Sequence, residues 1–352
     1  MHSEYSLNTK IGRLFMAGIP GKSLDDDTDA LIRNYCIGGV ILFSRNIEDP
    51  MQLATLCNDL QDRAIRYHGI PLFLAIDQEG GRVARLRPPF TVFAGNTSIG
   101  DDPNPVESAA EFGRITAEEM RVVGLNMDLA PVVDVRRGEP ESHLVGRTFS
   151  DDPEKVALLG RIVVRALQKN GVMATAKHFP GLGRTALDPH FHLPTIDANL
   201  EEIKSHNLPP FQAAIEEGVS AIMTSHAIYP ALDTDNPATL SYKILTDMLR
   251  RNLGFKGMVI SDDLEMGAIK KHWGVSEGAV ASFMAGNDIL LICHNQGFII
   301  EGVNSLRKKI IVGEISPDRL DLSLSRIERA KTEFLKDTRP VSLEEVSSYF
   351  KL

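Results

Sequence analysis

Cysteine is scarce in this chain, and the three present, Cys36, Cys57 and Cys293, are widely spaced. That excludes a disulfide framework, and each cysteine lies in or beside an apolar segment, so a reducing cytoplasm is the expected setting. Runs of like charge are missing too. The net charge is −9 with no basic stripe, a poor match for nucleic acid, whose phosphates need clustered Lys and Arg. No window approaches the apolar length of a membrane span. The opening residues MHSEYSLNTKIGRLFMAG lack the basic region, apolar stretch and cleavage site of a signal peptide. Neither a membrane nor a nucleic-acid partner is expected. There is no low-complexity linker, no strong repeat, and no G-x-G-x-x-G turn between a strand and a helix. One domain spanning 1–352 is the simplest reading.

What is present is a rhythm. Hydrophobic residues make up 43% of the chain, enough for a large core. Eight short apolar runs recur: 14–20, 38–44, 71–77, 125–135, 172–179, 221–228, 257–263 and 288–294. They are rich in aliphatic and β-branched residues and nearly continuous in hydrophobicity, as strands buried on both faces are. Helical patterns lie between them. PEKVALLGRIVVRALQKNG (153–171) has proline near its start and glycine past its end. Stretches 208–218 and 243–254 close on glycine in the same way, and 317–336 predicts a terminal helix. Eight buried strands alternating with helices predict an α/β fold, a single (β/α)8 TIM-type barrel, in preference to a doubly wound open sheet.

In such a barrel the chemistry sits at the carboxyl ends of the strands. The third run ends in Asp77, followed by Gln78, Glu79, Gly80, Gly81, Arg82 and Arg85. The fourth ends in Asp134, the fifth in Lys177-His178. The sixth carries Ser225 and His226, the seventh ends in Asp262-Asp263, and the eighth in His294-Asn295. Unpaired charge is not tolerated in a core, so these groups must meet in a wet site or pair with one another. Plainer readings compete at each place. Asp134 reads equally as a cap or loop bond, and His226 and His294 read more readily as structural histidines. Of the adjacent aspartates, one can cap while the other faces the barrel mouth.

The stretch KHFPGLGRTALDPHFHLP (177–194) crowds three histidines into a segment broken by three prolines and two glycines. Asp188 and His190 are two apart, so the carboxylate can hold the imidazole's tautomer and raise its basicity, as an oriented general acid/base requires. By itself a D-x-H pair is a weak signal. A zinc site on His178, His190 and His192 is the alternative, disfavoured by loop placement and the lack of a nearby cysteine. No metal and no cofactor are therefore expected.

AIDQEGGRVARL, VGRTFSDDP, AKHFPGLGRTALDPH and GMVISDDLEM, in that order, resemble glycoside hydrolase family 3. They are similar above all to its single-domain bacterial β-N-acetylhexosaminidases of cell-wall recycling. The resemblance runs from IGRLFMAGIPG through AGNDILLICHN and includes MTSHAIYPALD and PATLS. It implies a (β/α)8 barrel and a retaining mechanism. Asp262, the first aspartate of the S-D-D motif, is implied as nucleophile, and His190 as acid/base with Asp188 as its partner. Asp77, Arg85, Arg147, Lys177 and His178 are implied as sugar-binding residues. The implied reaction is removal of terminal β-linked N-acetylglucosamine from peptidoglycan fragments through a glycosyl-aspartate intermediate. The implied partner is a carbohydrate, muropeptide-like.

The chain departs from the family pattern where that reads close to K-H-F-P-G-H-G-D-T followed by D-S-H. Leu182 replaces the second histidine, Arg184 the aspartate, and Pro189 sits inside the dyad. VGRTF is one residue shorter than usual. Pro189 restricts Asp188 and stiffens the loop. Arg184 adds a cation that could favour an anionic aglycone. Other readings stay open: a β-glucosidase or other family 3 β-glycosidase, a β-N-acetylglucosaminide phosphorylase, a metal-dependent hydrolase, or a barrel that binds sugar without turnover. Asp262, present and intact, argues against the last.

Overall fold

Each of the eight apolar runs forms one strand. They are β1 (Phe15–Gly18), β2 (Gly39–Leu42), β3 (Phe73–Ile76), β4 (Met127–Asp128), β5 (Met173–Phe179), β6 (Ala221–Thr224), β7 (Met258–Ile260) and β8 (Leu290–Ile292). The computed structural model describes residues 6–138, 144–183 and 187–352. Every residue of these strands is buried, which is why the runs carry no polar alternation. Neighbours pair in parallel from β8 through β1 and on to β7. A parallel bridge between Ile260 and Ile289 closes the circle. The fold is the (β/α)8 barrel that the sequence predicts. The fourth run is the least regular: past Asp128 only Val132 makes a further bridge, to Lys177.

Helices α1 (Asp26–Tyr35), α2 (Pro50–His68), α3 (Pro105–Val122), α4 (Pro153–Lys169), α5 (Leu208–Glu216), α6 (Lys243–Asn252), α7 (Val275–Ala285) and α8 (Gly297–Ile311) surround the strands. The predicted stretch 153–171 becomes α4 with its proline in the first turn. Asp152 caps it by accepting from the Glu154 N–H at 3.0 Å. Gly171 beyond it adopts φ +82°, a conformation that favours glycine. Two further helices, α9 (Pro317–Phe334) and α10 (Leu343–Phe350), follow the barrel.

The amino-terminal end of the barrel is tied by charge. Asp288, just before β8, accepts from Arg250 at 2.5 Å, Arg326 at 2.9 Å, the Ser323 hydroxyl at 2.6 Å and the Val259 N–H at 3.0 Å. This knot joins α6, β7, β8 and α9. Lys331 of α9 reaches under the sheet to donate to the carbonyls of Gly38, 2.9 Å, and Pro71, 2.6 Å. The opposite end is therefore free to carry loops.

Candidate active site at the carboxyl ends of the strands

β3 runs on past Asp77 into a small hairpin, Gln78–Gly80 paired antiparallel with Val83–Ala84. Gly80 and Gly81 make its turn at φ +84° and +60°. Side chains alternate along an extended chain. Gln78 therefore turns back to accept from the N–H groups of Arg85 and Leu86, at 2.9 and 3.0 Å. Asp77 and Glu79 face the barrel mouth together. β5 brings Lys177 and His178 to the same place. Its register with β6 shifts between Ala176 and Phe179, an irregularity that breaks strict alternation and lets both consecutive side chains serve one site.

The charges interlock. Lys177 Nζ lies 2.8 Å from Asp77 Oδ1 and 2.6 Å from Glu79 Oε1. Arg147 grips Glu79 with two parallel bonds, Nε to Oε2 at 2.8 Å and Nη2 to Oε1 at 2.9 Å. Arg85 reaches Asp77 at 3.4 Å. Burial alone would raise the Glu79 carboxyl, but Arg147 and Lys177 outweigh it and hold Glu79 well below the usual range. Burial likewise works against the Lys177 ammonium, and Asp77 and Glu79 overcome it. Beneath them Asp128 is pushed up strongly by burial. Its Oδ1 accepts from the Gln78 N–H at 3.0 Å.

Asp134 resolves in favour of a role at the site. It is fully buried and accepts from His178 Nδ1 at 2.8 Å, and from the N–H groups of His178 and Leu182 at 3.2 and 2.7 Å. With Nδ1–H held on Asp134, His178 Nε2 points toward Arg147 Nη2, 3.5 Å away. Leu182 thus meets the site through its backbone while its side chain joins the core.

Beyond β7 the two aspartates divide as the sequence suggests. Asp263 caps the turn, accepting from the Glu265 N–H at 3.1 Å and the Cys293 N–H at 3.3 Å. Asp262 accepts the Asp263 N–H at 2.8 Å. His226 is structural in the way its residue type allows. Its Nε2 has only the Asp263 carbonyl, 2.9 Å away, so it must carry the proton, while Nδ1 meets the Thr239 hydroxyl at 2.7 Å. It fixes the peptide next to Asp262. Burial would raise the Asp262 carboxyl. The nearby His226, His178 and His190 and the Asp263 N–H together hold it below its ordinary value.

His190 stands on the loop after β5 with its ring mostly exposed, 59%. Asp188 Oδ1 accepts from His190 Nδ1 at 2.7 Å and from its N–H at 3.0 Å. His192 is exposed and donates its N–H to the Asp188 carbonyl at 3.1 Å. Arg184 lies outside the described residues. Among the described residues no group of three or more His, Cys, Asp or Glu is placed to hold a metal ion. Asp77, Arg85, Arg147, Lys177 and His178 thus form one linked cluster, and His178 and the Asp188-held His190 lie near enough to Asp262 to lower its carboxyl.

The sequence pattern "Glycosyl hydrolase family 3 N terminal domain" matches residues 6–330. The chain belongs to glycosyl hydrolase family 3. "Beta-hexosaminidase A" of Pseudoalteromonas piscicida is 34% identical over 347 residues, 91% of this chain, and this chain spans only 57% of that protein's length. A family 3 beta-N-acetylglucosaminidase from Paenibacillus sp. str. FPU-7 superposes with TM-score 0.93 at 37% identity, covering 98% of this chain and 68% of that one. NagZ from Neisseria gonorrhoeae, crystallised with N-trifluoroacetyl-D-glucosamine, gives TM-score 0.80 at 32% identity, covering 96% and 93%. As a family 3 member of the hexosaminidase group, the chain is a glycoside hydrolase with a carbohydrate substrate.

Glu79, Asp134 and the Gly267–Lys271 segment bear on this site and are absent from the eight sequence-derived candidates. Glu79 is the hub for Lys177 and Arg147. Its signal was its spacing from Asp77, two residues along an extended chain. The Gly267–Lys271 segment, against which the His190 loop packs, carries no sequence signal, since only the folded loop brings it near.

Proposed function

We infer that this family 3 hydrolase, read as one catalytic barrel over 1–352, is a retaining exo-β-N-acetylglucosaminidase. The observation that carries the reading is the pairing of two unlike groups at the carboxyl ends of the strands. An ionised carboxylate, Asp262, sits at the end of a rigid strand, and a carboxylate-oriented imidazole, His190, stands close enough to lower its pKa. In the first step an Asp262 oxygen attacks the anomeric carbon while protonated His190 gives its Nε2 proton to the leaving oxygen. The glycosidic bond breaks, a glycosyl-aspartate ester forms, and the aglycone departs as an alcohol. Neutral His190 then takes a proton from water as that water attacks the same carbon and releases Asp262. Asp188 steadies the imidazolium that precedes the first step and is regenerated by the second.

Asp77 accepts from sugar hydroxyls, and Arg85, Arg147, Lys177 and His178 donate to hydroxyls or the acetamide carbonyl. Their mutual ion pairs hold these donors in place before substrate arrives. The N-trifluoroacetyl-D-glucosamine bound to the Neisseria gonorrhoeae protein supports an amino-sugar ligand. We assign the natural substrates to peptidoglycan fragments and the setting to the cytoplasm, the latter supported by three free, buried cysteines.

The test compares kcat/KM on an aryl β-N-acetylglucosaminide with that on the matching aryl β-glucoside. Strong preference for the acetamido sugar is expected, with Asp262→Ala lowering it by about 10⁴-fold or more, the scale on which loss of a nucleophile reads. Preference for the glucoside would overturn the substrate assignment. A sugar 1-phosphate formed with added phosphate would make the enzyme a phosphorylase, since an imidazole, unlike a carboxylate, does not repel that anion.

A further inference from the structure

The described part of the His190 loop, 187–192, lies mostly at the surface. Leu187, His190, Phe191 and His192 are exposed. Within 187–192 Pro189 alone is buried, so bonds to the loop's carbonyls carry much of its position. Three of its consecutive carbonyls make such bonds, and all three go to one short segment. Pro189 O accepts from the Ala268 N–H at 3.2 Å, His190 O from the Gly267 N–H at 3.0 Å, and Phe191 O from the Lys271 ammonium at 2.8 Å. That segment begins five residues after Asp262 on the same rigid stretch of chain. The contact is close: a Cβ on Gly267 would stand 2.8 Å from His190 O and 3.0 Å from Phe191 O. Only glycine lets the two backbones approach so near. Lys271 is itself exposed, and its charge-assisted bond to Phe191 O holds no part of the core.

We propose that Gly267 and Lys271 are positioning residues that register His190 against Asp262. Gly267 provides the seat for the loop, and Lys271 clamps its far side. The proposal rests on the reading of His190 as the acid/base. An acid held in register matters most when the leaving group is poor. A good leaving group departs without a proton, so the first step becomes indifferent to loop position. A merely structural residue would affect both kinds of substrate alike.

The experiment measures kcat/KM of Lys271→Met, Lys271→Arg, Gly267→Ala and His190→Ala on 2,4-dinitrophenyl and on phenyl β-N-acetylglucosaminides, with Tm for each. Lys271→Met is expected to lose about tenfold on the phenyl substrate and under about twofold on the dinitrophenyl one, part of the ~10²–10⁴-fold that a general acid contributes. Lys271→Arg, which can still reach the Phe191 carbonyl, should recover most of the loss. Gly267→Ala should show the same leaving-group split through displacement of the loop. Equal effects on both substrates in Lys271→Met and Gly267→Ala, or no effect, while His190→Ala shows the split, would overturn the positioning role alone. His190→Ala without any split would sink the acid assignment and the positioning role with it.

Discussion

Asp262 and Asp263 are neighbours in sequence with opposite electrostatic fates. Burial pushes both carboxyls up. At Asp262 the surrounding imidazoles and the Asp263 N–H win, and the group stays ionised, as a nucleophile must. At Asp263 burial is joined by the Glu265 and Asp262 charges, which outweigh the N–H donors, and the carboxyl rises to about 7. The folded chain therefore keeps a proton on Asp263 that the unfolded chain has lost, between the ordinary 3.8 and about 7. Stability contributed by this position falls as pH rises through that window, and the penalty is complete above it. Asparagine imitates the protonated form and can still accept from the Glu265 and Cys293 N–H groups. The full shift corresponds to roughly 4 kcal/mol. Water at the open side of the carboxyl lowers this, so Asp263→Asn is expected to stabilise by about 1–2 kcal/mol at pH 8 and by almost nothing at pH 4. Urea unfolding at the two pH values reads the difference, and a gain equal at both would refute a titration origin.

At the scale of elements, the extension of β3 shows how a hairpin sets up binding chemistry. Gln78 holds the return strand, which leaves Asp77 and Glu79 to face inward. The turn depends on Gly81, where φ is +60° and a Cβ would meet the Ala94 carbonyl at 2.9 Å. Alanine there must take the strained left-handed conformation and push on backbone, costing about 1–3 kcal/mol. Gly81→Ala is expected to lower Tm and to raise KM for the aryl N-acetylglucosaminide more than it lowers kcat, because Asp77, Glu79 and Arg85 move while Asp262 does not. Steady-state kinetics would show the reverse pattern if this hairpin served the chemical step. The eight strands were legible in the sequence because burial on both faces leaves unbroken apolar runs. Their ends were overestimated where the chain stays apolar past the last paired residue, as in 125–135, of which only Met127–Asp128 forms strand. The site residues at strand ends were legible because charge after an apolar run is costly. Asp134 stayed ambiguous because aspartate after a strand serves turns as often as sites. Gly267 and Lys271 could not be read at all, since their partners lie about 80 positions back along the chain and meet them only through loop folding.

The molecule as a whole separates its two ends. The carboxyl ends of the strands carry the chemistry, with His190 exposed on its loop, and the amino ends carry a buried ionic knot that does no chemistry. Asp288 is its centre, with Arg250, Arg319 and Arg326 around one carboxylate. Burial would raise this carboxyl, but the three guanidinium groups and the Ser323 hydroxyl hold it below its ordinary value. Its folded pKa is depressed, so its contribution is present above the unfolded value near 4 and is lost as pH falls below that. Asp288→Asn keeps the shape and removes the charge. Three arginines then crowd a site without a counter-charge, and guanidinium cannot shed its proton to relieve the strain. Removing one partner of a buried ion set costs about 3–5 kcal/mol, and that loss is expected in urea unfolding at neutral pH. The gap to the parent should narrow as the pH drops below about 4, where Asp288 of the unfolded parent protonates while the folded one still holds its charge. The folded variant is expected to keep kcat/KM on the aryl N-acetylglucosaminide within about twofold, because the rigid strands that carry Asp262 and Lys177 do not depend on the knot for their side-chain geometry. A parallel loss of kcat in fully folded Asp288→Asn would show instead that the knot sets strand positions through the length of the barrel.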